Sequence, residues 1–180
     1  MHKTHKDFFD VAIRYSILIL SAISGLWIFY FFLTPLTFYP TYLILNLFFD
    51  VMLIKSSNII IVNNEIPIEI VKACVAGSAY YLLLVLNLST PKIKIETRIK
   101  MILSSFAVLL TFNILRIVLL SFIFLEGLPL FVAAHQFFWY FLSTVFVVAI
   151  WFSEVKIFKI KEIPFYSDFK LLHKHSFFSK

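Results

Sequence analysis

Three residues of this chain stand apart from their surroundings: Cys74, Arg116 and His135. Cys74 is the one cysteine, Arg116 interrupts the apolar run FNILRIVLL, and His135 lies in VAAHQFFWYF, away from the histidines of the two terminal segments. A thiol in apolar surroundings is inert, whereas a thiol beside an imidazole or guanidinium becomes a thiolate nucleophile. An imidazole can take that proton and return it to a leaving amine, a role typically worth about 10²–10⁴ in rate. A guanidinium keeps its charge at physiological pH and offers a fork of donors suited to an oxyanion or a carboxylate. Together the three would make a covalent acyl-transfer site with electrostatic stabilisation. Singly, each also has a structural use: the thiol as a small buried apolar group, the imidazole in an interhelical hydrogen bond, the guanidinium as a buried charge holding a partner.

Neighbouring residues fit a supporting role. Asn113 lies one helical turn before Arg116 and can hold its guanidinium. Gln136 and Tyr140 flank His135, and Ser78 and Tyr81 follow Cys74 at helical spacing. Gly77 reads equally as a notch for helix packing. With 3 glycines and 1 cysteine, the chain lacks a glycine-rich phosphate cradle, an internal disulfide and a CxxC metal site. No cofactor and no metal ion is expected.

The elements that must position these residues are apolar. Of 180 residues, 61% are hydrophobic and 14% charged, against roughly 25% charged in ordinary soluble chains. That composition predicts an all-α polytopic membrane protein forming a single integral membrane domain. Apolar runs cover 15–33, 36–54, 73–88, 101–125 and 130–152. The first lacks a small-residue cleavage site and reads as a retained span. Between 56 and 72, IIIV, Asn63-Asn64 and IPIEIV read as two short strands around a tight turn.

The charges decide which runs cross. Thirteen of the 16 basic residues fall in three blocks: Lys3, Lys6 and Arg14; Lys92, Lys94, Arg98 and Lys100; and Lys156, Lys159, Lys161, Lys170, Lys174 and Lys180. All three are cytoplasmic under the positive-inside rule only if the number of crossings is even. The expectation is therefore about four transmembrane helices, at 15–33, 73–89, 101–125 and 130–152. Residues 34–72 would then form an extracytoplasmic cap of an interfacial or re-entrant helix and a small β-hairpin, and 153–180 a basic cytoplasmic tail. A fifth, tilted helix over 36–54 with Asp50 facing the bundle is the alternative. Under the four-span arrangement Cys74, Arg116 and His135, from three helices, all fall in the outer leaflet. The basic balance sets orientation and excludes nucleic acid as the partner.

At these residues the chain resembles the archaeosortase/exosortase family of polytopic membrane enzymes, and is most like the variety called pacearchaeosortase. Lys72-Ala73-Cys74-Val75-Ala76-Gly77-Ser78, Phe112-Asn113-Ile114-Leu115-Arg116-Ile117 and the His135 segment carry the likeness, which spans roughly residues 40–152. Where the family places Ser or Thr and then Gly after its cysteine, this chain has Val75-Ala76 before Gly77. The resemblance implies Cys74 as nucleophile, Arg116 as the stabilising arginine and His135 as the third member of the catalytic set. It implies a transpeptidase in the plasma membrane with its active site on the extracytoplasmic side. The substrates would be membrane-anchored proteins with a C-terminal transmembrane sorting signal, and the acyl group would pass to a lipid-linked or other amine acceptor.

Two other readings stay open. One is a non-catalytic membrane subunit or small transporter in which Arg116 is structural. The other is a membrane cysteine protease that uses water as the acceptor.

Overall fold

The computed structural model describes residues 2–24, 26–127, 129–139 and 143–160. Helix α1 (His2–Ile23) ends in a turn at Ser24, whose hydroxyl donates to the Ser21 carbonyl at 2.8 Å. Leu26 is left-handed at φ 60°, and α2 (Trp27–Leu45) starts from it. The run at 15–33 is thus divided between two helices. Helix α2 passes through Pro35 and Pro40, each of which removes one main-chain donor. Thr37 and Thr41 are fully buried beside them, and the Thr41 hydroxyl donates back to the Thr37 carbonyl at 2.7 Å.

No helix covers 36–54. Its first half belongs to α2 and its second half to strand β1 (Val51–Ile54), with Asp50 exposed and its carbonyl accepting from the Asn63 amide at 2.7 Å. Strands β2 (Ile59–Val62) and β3 (Ile66–Glu69) follow, giving an open antiparallel sheet in the order β1-β2-β3. The expected two-stranded hairpin is thereby extended to three strands. Asn63 and Asn64, at φ 52° and 58°, make the β2–β3 turn. Consecutive left-handed residues match the right-handed twist of the flanking strands, and asparagine tolerates that conformation well.

Beyond the sheet come α3 (Lys72–Val75), α4 (Gly77–Leu88), α5 (Ile95–Leu125), α6 (Phe131–Phe137) and α7 (Ser143–Ile157). The run at 73–89 is broken by left-handed Ala76 (φ 59°). The run at 130–152 is divided between α6 and α7, of 7 and 15 residues. Among the described residues, two helices are long and apolar enough to cross a membrane, α2 with 19 residues and α5 with 31. The four-span arrangement is therefore corrected: a helix needs about 17–25 apolar residues to span, and the other runs are cut into shorter pieces.

The core joins α2, the inner face of the sheet, α3, α4, α5 and α7 through Leu45, Ile60, Val75, Tyr80, Leu83, Leu109 and Val147. Large apolar side chains also point outward along both long helices, among them Phe31, Phe32 and Leu43 on α2 and Leu103, Leu115 and Leu119 on α5. At the first turn of α5, Arg98 is 6% exposed. It donates to the carbonyls of Asn87, Leu88 and Thr90, the last of these at 2.8 Å. Arg14 of α1 donates to the same Leu88 carbonyl at 2.8 Å. Arg98, expected in a solvated basic loop, is instead a buried clamp on the end of α4. Glu154 of α7 closes this end of the fold, accepting from Asn87 Nδ2 at 3.2 Å and the Ser104 hydroxyl at 2.9 Å.

Candidate functional site

Cys74 sits on a single helical turn between the sheet and α4. Val71 is still extended, its carbonyl accepts from the Cys74 amide at 2.8 Å, and Ala76 then reverses the chain's sense. Val75 is fully buried and anchors the turn. Gly77 lies against the Tyr30 ring so closely that an added Cβ would stand 2.8 Å from Cζ. Any larger residue there would have to displace Tyr30, over whose ring the Lys72 ammonium sits 5.7 Å from the centroid. Tight packing on one side and a left-handed residue on the other fix the direction of the Cys74 main chain.

That direction brings the Cys74 carbonyl to α5. It accepts from Asn113 Nδ2 at 2.8 Å and from an Arg116 terminal nitrogen at 3.3 Å. Asn113 thus holds the cysteine's main chain, a different task from the expected one of holding the guanidinium. On α6, His135 is exposed and flanked one turn away on each side by aromatic rings. Phe131 lies 5.8 Å from it and Trp139 6.2 Å, both near-parallel.

Cys74, Arg116 and His135 all line one cavity of about 250 Å³, together with Pro67 to Ile70, the C-terminal third of α5, Phe131 and Trp139. A second cavity of about 300 Å³ reaches Cys74 and His135 between Val71, Ala73, Gln136 and Trp139. Cys74 and His135 therefore contribute to the lining of both cavities. Burial pushes the Cys74 thiol above its ordinary range. The backbone hydrogen bond at Val71 and the positive charge of Arg116 pull it down, and the Glu69 carboxylate adds to the rise. At neutral pH the sulfur carries its proton and needs a base to act as a nucleophile.

Of the supporting residues, Asn113 and Gln136 reach the site, by the bond to Cys74 and through the second cavity. Ser78 is exposed and lines neither cavity. Its four-residue spacing from Cys74 puts it on the same face only in an unbroken helix, and Ala76 breaks that helix. Tyr81 turns away for the same reason, donating to the Leu18 carbonyl at 3.2 Å. Tyr140 lies outside the described residues, as do residues 161–180 with His173-Lys174-His175. Among the described residues no group of three or more His, Cys, Asp or Glu side chains could hold a metal ion.

Sequence reasoning passed over Glu69, Phe131 and Trp139. The two aromatic residues stand four positions before and after His135, a spacing visible in the sequence. Glu69 is the one charged residue of the IPIEIV strand, but nothing in the sequence fixes which edge of a strand meets a cavity. Comparison of the chain with family models, with curated proteins and with solved structures gives no match.

Proposed function

We propose that this protein is a membrane-embedded cysteine transpeptidase acting on membrane-anchored proteins with a C-terminal sorting signal. The observation that carries the reading is the lining of one cavity by Cys74, Arg116 and His135, from three separate elements. In the proposed reaction His135 takes the Cys74 thiol proton as sulfur attacks the substrate carbonyl carbon. The carbonyl oxygen becomes an oxyanion, stabilised by the Arg116 guanidinium. The C–N bond then breaks, His135 protonates the leaving amine, and a thioester remains on Cys74. An acceptor amine attacks the thioester, forms the new amide and returns the thiol; water in its place would give hydrolysis. A lipid-linked amine is the acceptor the family resemblance implies.

Orientation is part of the proposal. Lys92, Lys94 and Lys100 lie at the start of α5, and Arg116 lies 18 residues beyond Arg98, about 27 Å further along the helix. With α5 crossing the membrane, its basic start cytoplasmic, and α4 leading back beside it from the Cys74 turn to the Leu88 carbonyl held by Arg98, the site falls toward the extracytoplasmic side of a plasma membrane.

A second reading has its own observation. Asn113 and Arg116 both donate to the Cys74 carbonyl, and burial keeps the thiol protonated. On this bonding network alone, a non-catalytic subunit or small transporter with a structural Arg116 is the better supported. One experiment separates the two. Cys74→Ala, expressed as a stable inserted protein, abolishes processing of tailed surface proteins if the site is catalytic and leaves it intact if the site is structural. Intact processing by that variant ends the enzyme reading. A trapped thioester on Cys74 and the new C-terminal group of the product distinguish transfer from hydrolysis.

A further inference from the structure

The cavity beside Cys74 has one wall unlike the others. Four consecutive residues of the sheet segment, Pro67, Ile68, Glu69 and Ile70, line it. A sheet face would contribute every second residue, because side chains alternate between faces. Four in succession mean that the cavity lies along the edge of β3. That edge is the outer one, since β3 ends the β1-β2-β3 order.

The strand register states which groups point there. Ile70 donates its amide to the Asn58 carbonyl at 3.0 Å, and β3 pairs with β2 through Ile60↔Ile68 and Val62↔Ile66. Bonding direction alternates along an antiparallel strand. Ile66, Ile68 and Ile70 therefore direct their main-chain groups toward β2, while Pro67 and Glu69 direct theirs outward. Proline has no amide hydrogen to offer, which is tolerated on an outer edge. The edge beside the cavity thus presents the Pro67 carbonyl, the Glu69 amide and the Glu69 carbonyl, with the Glu69 carboxylate beside them and the apolar side chains of Pro67, Ile68 and Ile70 completing that wall.

An extended main chain has the spacing to meet such a row. We infer that the substrate segment preceding the bond to be cut docks as a fourth strand on the outer edge of β3, delivering its carbonyl to Cys74. This inference rests on the catalytic reading above and adds to it how the peptide is held. Recognition through main-chain groups leaves selectivity to the apolar cavity walls, and so favours an extended apolar peptide over a helical one.

The test uses the full chain in lipid nanodiscs and three reagents. They are iodoacetamide, an acetyl-trialanyl chloromethyl ketone, and the same ketone with its backbone amides N-methylated. Cys74 is the only cysteine, so labelling is followed by intact mass with peptide mapping. The expected result is that the plain ketone labels Cys74 about three- to tenfold faster than the N-methylated one, the effect of losing one or two strand hydrogen bonds. Glu69→Pro removes the outward amide while keeping the β2 pairing, and should erase that preference. Glu69→Ala removes the carboxylate and keeps the amide, and should retain it. Equal labelling of the wild-type chain by both ketones overturns the docking mode, whether or not Glu69→Pro folds. So does a preference that survives in a folded Glu69→Pro, one whose iodoacetamide rate stays within about twofold of wild type. Failure of the catalytic reading shows differently, as substrate processing in cells that persists in Cys74→Ala, and it removes the docked substrate as well.

Discussion

Removing Asn113 and Arg116 singly and together tests how the Cys74 turn is held. Asn113→Leu deletes a 2.8 Å hydrogen bond and puts an apolar side chain of similar size at a position that is 4% exposed. The Cys74 carbonyl keeps Arg116 as its donor, so the loss is the net value of one neutral hydrogen bond, about 1 kcal/mol. Arg116→Met leaves the Asn113 bond in place and removes one of 3.3 Å, longer than the ideal. Its local cost is again about 1–1.5 kcal/mol. The double variant leaves the carbonyl with neither donor, and a carbonyl closed off from water adds about 1–3 kcal/mol.

Amide hydrogen exchange over residues 71–79, followed by mass spectrometry on reconstituted protein, reads this local opening directly. At about 1.4 kcal/mol per tenfold, each single change should speed exchange roughly five- to tenfold. Independent effects would then multiply to about 25- to 100-fold. The shared acceptor predicts a double variant on the order of tenfold faster than that product. A result equal to the product would mean that water replaces the lost donors, and the argument for a closed carbonyl would fail. Unchanged exchange in Asn113→Leu would assign the turn's stability to Val75 and to the Gly77–Tyr30 contact alone.

Alkylation of Cys74 by iodoacetamide should still be climbing at pH 9, because burial raises the thiol. Arg116→Met should move the inflection further up by removing a charge that favours the thiolate; a wild-type inflection at or below the ordinary thiol range of about 8.5 contradicts the first statement, and an inflection unmoved in Arg116→Met contradicts the second. Arg98→Met removes donors from three carbonyls at the end of α4 and should cost about 3 kcal/mol or more. Thermal unfolding in detergent would register this as a drop of several degrees, and an unchanged midpoint would refute it. Burial also raises the Glu154 carboxyl, with the hydrogen bonds from Ser104 and Asn87 pulling the other way. A carboxyl raised in the folded state favours folding most below its unfolded value of about 4.3, and that contribution is lost as pH rises through the folded value. Glu154→Gln should therefore match wild type in thermal stability at pH 4 and exceed it at pH 8; an equal difference at both would refute the assignment.

The extent of the apolar runs was legible in the sequence, and so was the Asn63-Asn64 turn, because asparagine pairs carry a local conformational preference. The points where the runs break were not. Leu26 and Ala76 are left-handed at φ 60° and 59°, and neither residue type favours that conformation. Tertiary packing imposes it, at Ala76 through the buried Val75 before it and the close Gly77–Tyr30 contact after it. The prolines of α2 misled in the opposite sense. Proline disfavours a helix interior, yet α2 continues through Pro35 and Pro40. Ser78 and Tyr81 were misplaced by the same hidden break, since helical spacing loses its meaning across Ala76. Cys74, Arg116 and His135 were legible because each is chemically alone in its run. The carbonyl that engages Arg116 was not, because main-chain acceptors leave no mark in a sequence.

The two arginines of α5 do the same physical work at opposite ends of one helix. Arg98 gathers carbonyls at the C-terminal end of α4, and Arg116 reaches a carbonyl in the single turn of α3. Both sites are helix ends, where carbonyls lack intrahelical donors and a positive charge is favoured. Arg116 thus has a sufficient structural cause in Arg98's own terms, and its burial alone says nothing for catalysis. What distinguishes its end of α5 is the company: Cys74 and His135 line one cavity with it. Arg116→Lys divides the two roles. A lysine can still donate to the Cys74 carbonyl, so the turn should hold and hydrogen exchange over 71–79 should stay near wild type. It lacks the fork needed to keep that bond while also facing an oxyanion. Lost processing with unchanged exchange would assign Arg116 to the chemistry, whereas unchanged processing would reduce it to a second Arg98.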